Sequence, residues 1–396
     1  MDIKEFKATK IVIFNKDVPA GVSTILKNII KFKPKSNLKY KLVLYKYEEK
    51  NHNTISEDWC DDVVRFNLSG FDNLYHTLNT IRETVNSESI IVANDITELR
   101  MVVLLKLSNP LIYIVHGDFE TYYGHCEIFQ DYIDKFIVYS KFINDKLNLR
   151  LKPANRHKVN LIYYPVPEVK NELVEFKDNI LKIVFVGNLI ERKGVDLLPS
   201  IIEKLEDKDI KYHFNIVGSG ELNFWLQEAF QNNKNVTFLG QKNNEEVIEI
   251  LKRNNVLLFP TRSEGLPNVL VEAMKSGCVP IISSIESGIP EVVSQNKDGI
   301  LVEVNNVDAF SESLIELYTS PDILEKMKEN AIVKANKMFN PEKNAKNYFD
   351  AFTQVSVNLN KLNNVPKIPL GPILNKRWIP NRIVQFIRKF NFNPNF

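Results

Sequence analysis

Cysteine is scarce in this chain. Cys60, Cys126 and Cys278 are the three found in 396 residues. An odd number so widely spaced excludes a disulfide framework and points to a reducing compartment. Long apolar runs are missing too, since no stretch approaches the roughly 18 apolar residues of a membrane-spanning helix. The opening residues, MDIKEFKATKIVIF, carry charges on both sides of any short apolar stretch and do not read as a secretory signal. A strong net charge is also lacking: the formal value is +2, which gives no expectation of a nucleic-acid partner for the chain as a whole. These absences predict a cytoplasmic protein, free or peripheral on the inner face of the plasma membrane.

What is present is ordinary for a globular protein, with 44% hydrophobic and 25% charged residues. The length suits two domains better than one core. Short apolar runs alternate with helical segments from Thr9 onward. Strands are expected at Ile11–Phe14, Tyr40–Tyr45, Val63–Phe66, Ile90–Ala93, Leu111–Val115 and Phe136–Tyr139, with helices at about Gly21–Lys31, Asp72–Thr84 and Asp95–Leu107. Continuous rather than alternating apolar runs imply parallel strands buried on both faces.

A Pro-rich, charged connector follows at Pro165–Glu175, and the alternation restarts. Strands are expected at Ile183–Val186, Phe214–Val217, Val236–Leu239, Val256–Phe259, Pro280–Ile282 and Ile300–Val302. Helices should start near Val195, Glu221 and Glu245, with a short one at Pro290–Val293. The expected fold is α/β, with two doubly wound, Rossmann-like domains facing a cleft at the carboxyl ends of their strands. We expect domains at residues 1–170 and 171–340, a helix over 341–358 returning to the first domain, and a basic tail over 359–396.

One stretch organises the chain: Phe259 to Gly277, FPTRSEGLPNVLVEAMKSG. A strand ends at Pro260, and a polar loop holds Ser263, Glu264 and Gly265. A helix follows, with Pro267 at its first turn and Gly277 as a left-handed C-terminal cap. Val269, Leu270, Ala273 and Met274 give it an apolar face. Glu264 and Glu272 are thereby separated by about two helical turns, flanking a helix N-terminus suited to phosphate.

This Glu264-x7-Glu272 pair in the context SEGLPNVLVEAM resembles the donor-site signature of family-4 retaining glycosyltransferases, which have the GT-B fold. The resemblance implies that Glu272 accepts hydrogen bonds from the ribose of a nucleotide sugar and that Glu264 binds the transferred sugar near the reaction centre. Carboxylates suit both tasks, because an ionised oxygen accepts strong hydrogen bonds. Backbone N–H groups of Gly265 and Leu266 are the implied partners of phosphate or sugar oxygens, beside Ser263.

Other elements match in part. Val186-Gly187-Asn188-Leu189 followed by Glu191-Arg192-Lys193-Gly194 resembles the family's diphosphate clamp, with Lys193 in place of its lysine. Asn188 stands where the family has arginine, and Arg192 is the candidate to supply that charge; a basic pair opening a surface helix is the plain alternative. Ala20-Gly21 takes the place of a pair of glycines near the diphosphate. His116, at the end of Leu111–Val115, matches a histidine placed near the transferred sugar, although a lone histidine at a strand end is more often structural. Ser287-Gly288-Ile289-Pro290-Glu291 resembles a further family element and reads mainly as fold.

Three look-alikes are set aside. Val217-Gly218-Ser219-Gly220 imitates a dinucleotide fingerprint but has Asn223 for the third glycine, so Gly218 reads as a tight turn lining the nucleotide pocket. Asp207-Lys208-Asp209 falls in a polar turn away from strand carboxyl ends, and His125-Cys126 lacks a second ligand pair, so no metal or other cofactor is expected. The tail NKRWIPNRIVQFIRKF spaces Ile379, Ile383, Phe386, Ile387 and Phe390 as one helical face, with Trp378 at its edge. Seven Lys or Arg and no Asp or Glu lie between Lys361 and Phe396. Two readings stand for residues 376–390: an anionic membrane surface as partner, or packing on the first domain.

The resemblance implies a hexosyltransferase-type enzyme that needs no metal and moves a sugar, with retention, from a UDP- or GDP-linked donor to a glycan or lipid-linked acceptor of bacterial surface polysaccharide. An epimerase of the same fold and a non-catalytic sugar-nucleotide-binding protein are the alternatives.

Overall fold

The structure, a computed structural model, describes residues 3–5, 8–18, 20–47, 62–170, 179–358 and 374–390. Cys60 lies outside the described residues, while Cys126 and Cys278 are free thiols and buried. The chain forms two compact units. The first comprises Met1–Tyr139, Asn144–Tyr164 and Glu342–Phe396, and the second Ser140–Ile143 and Pro165–Pro341.

In the first unit the short strand β1 (Ile3–Glu5) precedes seven parallel strands. These are β2 (Lys10–Lys16), β3 (Lys39–Tyr47), β4 (Val63–Leu68), β5 (Ser89–Ala93), β6 (Leu111–Ile114), β7 (Lys135–Val138) and β8 (Val159–Leu161). Their order is β4-β3-β2-β5-β6-β7-β8. Ile11 to Phe14, Ile90 to Ala93 and Leu111 to Val115 are fully buried, which is why these strands read as unbroken apolar runs. Helices α1 (Gly21–Lys31), α2 (Leu74–Arg82), α3 (Ile96–Leu104), α4 (Glu120–Phe129) and α5 (Lys141–Arg150) connect them.

The helix starts follow local chemistry. Asn73 caps α2 by accepting from Tyr75 N at 3.0 Å. Asp95 and Glu98 form a reciprocal capping box at α3. β8 and α4 escape the sequence periodicity for physical reasons: Val159–Leu161 is only half-buried, and ETYYGHCEIF mixes glycine and aromatics without an apolar stripe.

The second unit has six parallel strands, β9 (Leu181–Val186), β10 (Tyr212–Val217), β11 (Val236–Gly240), β12 (Val256–Phe259), β13 (Val279–Ser283) and β14 (Ile300–Val302). The order is β11-β10-β9-β12-β13-β14. Around them run α6 (Leu198–Glu206), α7 (Asn223–Ala229), α8 (Asn244–Lys252), α9 (Asn268–Lys275), α10 (Ile289–Val292), α11 (Val307–Thr319) and α12 (Pro321–Met338). Phe185 on β9 and Phe259 on β12 stack with ring centroids 5.7 Å apart, joining the two central strands.

α9 ends as its glycine predicts. Gly277 has φ +71°, its N–H donates to Met274 O at 3.2 Å, and Cys278 N donates to Ala273 O at 2.9 Å. These are the two bonds of a Schellman cap. The buried Lys275 ammonium near this end donates to Val166 O at 2.7 Å and Phe339 O at 3.0 Å.

The chain then returns to the first unit. α13 (Pro341–Thr353) buries Tyr348, whose hydroxyl donates to Ile162 O at 3.3 Å. β15 (Ser356–Asn358) pairs antiparallel with β1, and α14 (Asn381–Phe390) closes the described chain.

Candidate functional site

In a doubly wound sheet, ligands bind at the carboxyl edge where the order of connections reverses. That point in the second unit lies between β9 and β12, which pair through Ile183 with Val256 and Val184 with Leu257. The loops leaving these strands carry Gly187 to Lys193 and Pro260 to Glu264. They are bound together by backbone: Arg262 N donates to Arg192 O at 2.9 Å, and Thr261 Oγ1 donates to the same oxygen at 3.2 Å.

Gly194 makes this closeness attainable. Its φ is +70°, and an added Cβ would lie 1.9 Å from the Pro260 carbonyl oxygen. Arg262 ties the rear of the loop with a two-pronged bond to Asp196, at 2.6 and 2.7 Å, and a third to Asn305 Oδ1 at 2.8 Å. Arg262 and Asp196 were not legible as site residues, because one Arg and one Asp 66 positions apart give no sequence signal.

Lys193, Arg192 and Glu264 converge at this point. The Lys193 ammonium pairs with Glu264 Oε1, and Arg192 Nη1 lies 3.6 Å from the same oxygen. Arg192 also donates to the Ser263 carbonyl at 2.7 Å. Only 13% of the Lys193 side chain and 12% of the Glu264 side chain are exposed, against 38% for Arg192. Burial lowers the Lys193 pKa from its ordinary value, and the Glu264 carboxylate opposes that shift. The Phe259 ring lies under the ammonium at 5.1 Å, a cation–π contact that suits a poorly hydrated lysine. The geometry concentrates two cations and one carboxylate in a partly dry loop, a set able to hold an anion and a hydroxyl side by side.

Asn188 is exposed in the loop after β9, one side of this cluster. Gly265 and Leu266 are buried at the start of α9, where Pro267 occupies the N-cap and no side chain caps the helix. Gly265 O accepts from Gly288 N at 2.7 Å. Nearby, Glu291 accepts from Lys141 N and Phe142 N at 2.8 Å each, a structural role within the second unit.

Glu272, inside α9, is buried and accepts from Asn244 Nδ2 at 2.7 Å. Burial pushes its pKa up to about 7, with the Asn244 bond acting the other way. Asn244 is a partner that sequence reasoning missed, because it sits in the Asn-Asn-Glu-Glu start of α8 and reads as helix capping.

Gly218 serves packing. With φ +140°, an added Cβ would lie 1.9 Å from Gly187 O, and at Gly220 it would lie 2.4 Å from Leu189 O. The Gly218-Ser219-Gly220 turn therefore presses directly on the backbone of the Gly187–Leu189 loop, and Leu189 N donates to Ser219 O at 2.9 Å. Asp207 and Asp209 lie in the turn after α6, where Asp209 has φ +55°. Among the described residues, no group of three His, Cys, Asp or Glu side chains is placed to hold a metal ion.

The first unit has its own switch point between β2 and β5. Asn94 bridges it, donating from Nδ2 to Phe14 O at 2.6 Å and offering Oδ1 to His116 Nε2 at 2.6 Å. Since Oδ1 only accepts, Nε2 carries the proton and Nδ1 is the acceptor. That Nδ1 is buried with no hydrogen-bond partner among the described residues, and burial lowers the His116 pKa to about 3. His116 is thus a neutral imidazole at the end of β6 with one vacant acceptor. Gly21 is exposed as the first residue of α1, just after the β2 loop.

Two parallel-sheet, Rossmann-like α/β units make up the architecture of the GT-B class. The solved structure of Anabaena HepE in complex with UDP and glucose has this fold, with a TM-score of 0.71 at 15% identity, covering 87% of this chain and 99% of that one. Residues 168–334 match the family described as glycosyl transferases group 1. An uncharacterized glycosyltransferase of Methanocaldococcus jannaschii is 30% identical over 199 residues, 50% of this chain and 53% of that protein. The UDP-Gal:alpha-D-GlcNAc-diphosphoundecaprenol alpha-1,3-galactosyltransferase of Escherichia coli is 30% identical over 199 residues, 48% of this chain and 50% of that protein. The chain spans about half the length of these two relatives.

Proposed function

We propose that this protein is a retaining glycosyltransferase of the hexosyltransferase type. It moves a sugar from a UDP- or GDP-linked donor to a glycan or lipid-linked acceptor in bacterial surface polysaccharide synthesis. The observation that carries the proposal is the meeting of Lys193, Arg192 and Glu264 at the switch point of a unit whose residues 168–334 match the family described as glycosyl transferases group 1. A diphosphate there takes Lys193 as its counter-ion, and Arg192 supplies the second positive charge that Asn188 cannot. Glu264, released from its ion pair, accepts hydroxyls of the transferred sugar. Glu272 accepts the ribose hydroxyls, and the N–H groups of Gly265 and Leu266 face the phosphate.

In this mechanism the bond from the anomeric carbon to the diphosphate oxygen breaks, and negative charge grows on the leaving group. Lys193 and Arg192 stabilise that charge without a metal. The acceptor hydroxyl bonds to the anomeric carbon on the same face and gives its proton to the departing phosphate oxygen. In the first unit, neutral His116 offers its Nδ1 as a hydrogen-bond acceptor to a hydroxyl. UDP is the favoured nucleotide, because it is named for both the Escherichia coli relative and the Anabaena structure. A lipid-linked acceptor also suits an anionic membrane as the partner of residues 376–390.

Labelled UDP- and GDP-sugars test the reading. Transfer, or slow hydrolysis without acceptor, supports it; epimer formation or binding without turnover replaces it with one of the two alternatives. Lys193→Ala and Glu264→Gln are each expected to lower turnover by about 100-fold or more, the usual cost of removing a group that meets charge in the transition state. A chelator should leave the rate unchanged.

A further inference from the structure

Two ion pairs bridge the loops that follow β9 and β12. Lys193 pairs with Glu264. Asp196, just beyond Lys193 on the first loop, pairs with Arg262, just ahead of Glu264 on the second. The second pair is tied to more of the protein than the first. Arg262 Nη1 donates to Asp196 Oδ1 at 2.6 Å and to the Glu191 carbonyl, Nη2 to Asp196 Oδ2 at 2.7 Å, and Nε to Asn305 Oδ1 at 2.8 Å. Most of the five N–H groups of the guanidinium are thereby engaged by the chain itself. Turning Arg262 toward a phosphate would break all of these bonds, so it is not a further anion ligand.

The first pair has to open when a donor arrives, because the diphosphate claims the Lys193 ammonium and the sugar claims the Glu264 carboxylate. The attraction that joined the loops is then lost at the moment when their spacing matters most. What remains across the gap is the Arg262 N bond to Arg192 O at 2.9 Å, the contact of Gly194 with Pro260, and the Arg262–Asp196 fork. A planar guanidinium on a carboxylate fixes orientation as well as distance, which a single charge on a flexible stem does not.

We propose that Arg262 and Asp196 are positioning residues that hold the two loops at a set spacing while Lys193 and Glu264 part to take the donor. Both act through Lys193 and Glu264, and the inference rests on the reading of those two as donor ligands.

The test compares Arg262→Gln, Asp196→Asn, their double variant and Arg262→Lys with the parent chain. With 25% of the Arg262 and 31% of the Asp196 side chain exposed, the thermal midpoint should fall by about 4 °C or less. Turnover of a nucleotide sugar should fall about 10- to 100-fold, the effect of a small misplacement of the groups that meet the donor. The double variant should lose no more than either single one, since both break the same pair. Arg262→Lys keeps the charge without the fork and should restore the midpoint but little of the turnover. In the ligand-free chain, pulsed acetic anhydride should acylate Lys193 about three- to fivefold faster in Arg262→Gln, the shift in local opening when a pair of this exposure is lost. Other lysines of the second unit serve as the internal reference. If Arg262→Gln does not fold, Asp196→Asn, of nearly the same shape, carries the same comparison. Parent-like turnover, parent-like acylation of Lys193, or full recovery of turnover in Arg262→Lys would overturn the proposal. A parent chain that turns over no UDP- or GDP-sugar would undo the glycosyltransferase reading instead, while the acylation rates still decide whether the fork holds Lys193.

Discussion

Burial governs the protonation of Glu272. The folded chain raises its pKa to about 7 from an ordinary 4.5. A carboxyl raised in this way contributes stability in full below about pH 4.5 and loses it as pH rises through about 7. Glu272→Gln removes the ionisable group and keeps an oxygen for Asn244. We therefore expect the variant to match the parent near pH 4 and to exceed it at pH 8 by up to about 3 kcal/mol, read from urea midpoints at the two values. It should also bind a nucleotide sugar more weakly, as a residue kept for binding at the expense of stability. Glu272 was visible in the sequence through its setting, and its consequence for pH was not, because nothing local in SEGLPNVLVEAM shows that Asn244 is its buried partner.

Loops, rather than strands or helices, distinguish the second unit. The Gly194 backbone is left-handed and meets Pro260, so Gly194→Ala adds an unfavourable φ to a contact with rigid backbone. We expect a loss of about 2 kcal/mol or more in stability, together with a fall in turnover as Lys193 is displaced. Gly277→Ala is the control. Its φ is nearly the same, but the nearest atom is the Ile332 side chain at 3.3 Å, so a loss of about 1 kcal/mol with turnover retained is expected. Strands such as Ile11–Phe14 and Val256–Phe259 were legible because both faces are buried and the residues say so. The half-buried β8, the stripe-free α4 and the short pairing of β1 with β15 were not, since each depends on a neighbour far away in the chain. In the same way Lys193 and Glu264 could be named from motifs, while Arg262, Asp196 and Asn94 owe their roles to tertiary contacts alone.

For the molecule as a whole, the site in the second unit should couple ligand to stability. A nucleoside diphosphate at 100 times its dissociation constant adds about 2.7 kcal/mol to a state that alone binds it. With UDP we expect a concentration-dependent rise in the midpoint of one calorimetric transition, lost in Lys193→Ala. An unchanged thermogram would remove UDP as the nucleotide.

The pairing of β1 with β15 joins segments roughly 350 residues apart, while the strands of the second unit run in unbroken succession from Leu181 to Val302. During synthesis the ribosome therefore delivers everything the second sheet needs before the first unit receives its last pieces, α13, β15 and α14. A nascent chain arrested shortly after Pro341 has emerged should already protect its later half from protease and leave the earlier half open to cleavage. On this prediction the second unit folds ahead of the first, which still lacks α13, β15 and α14.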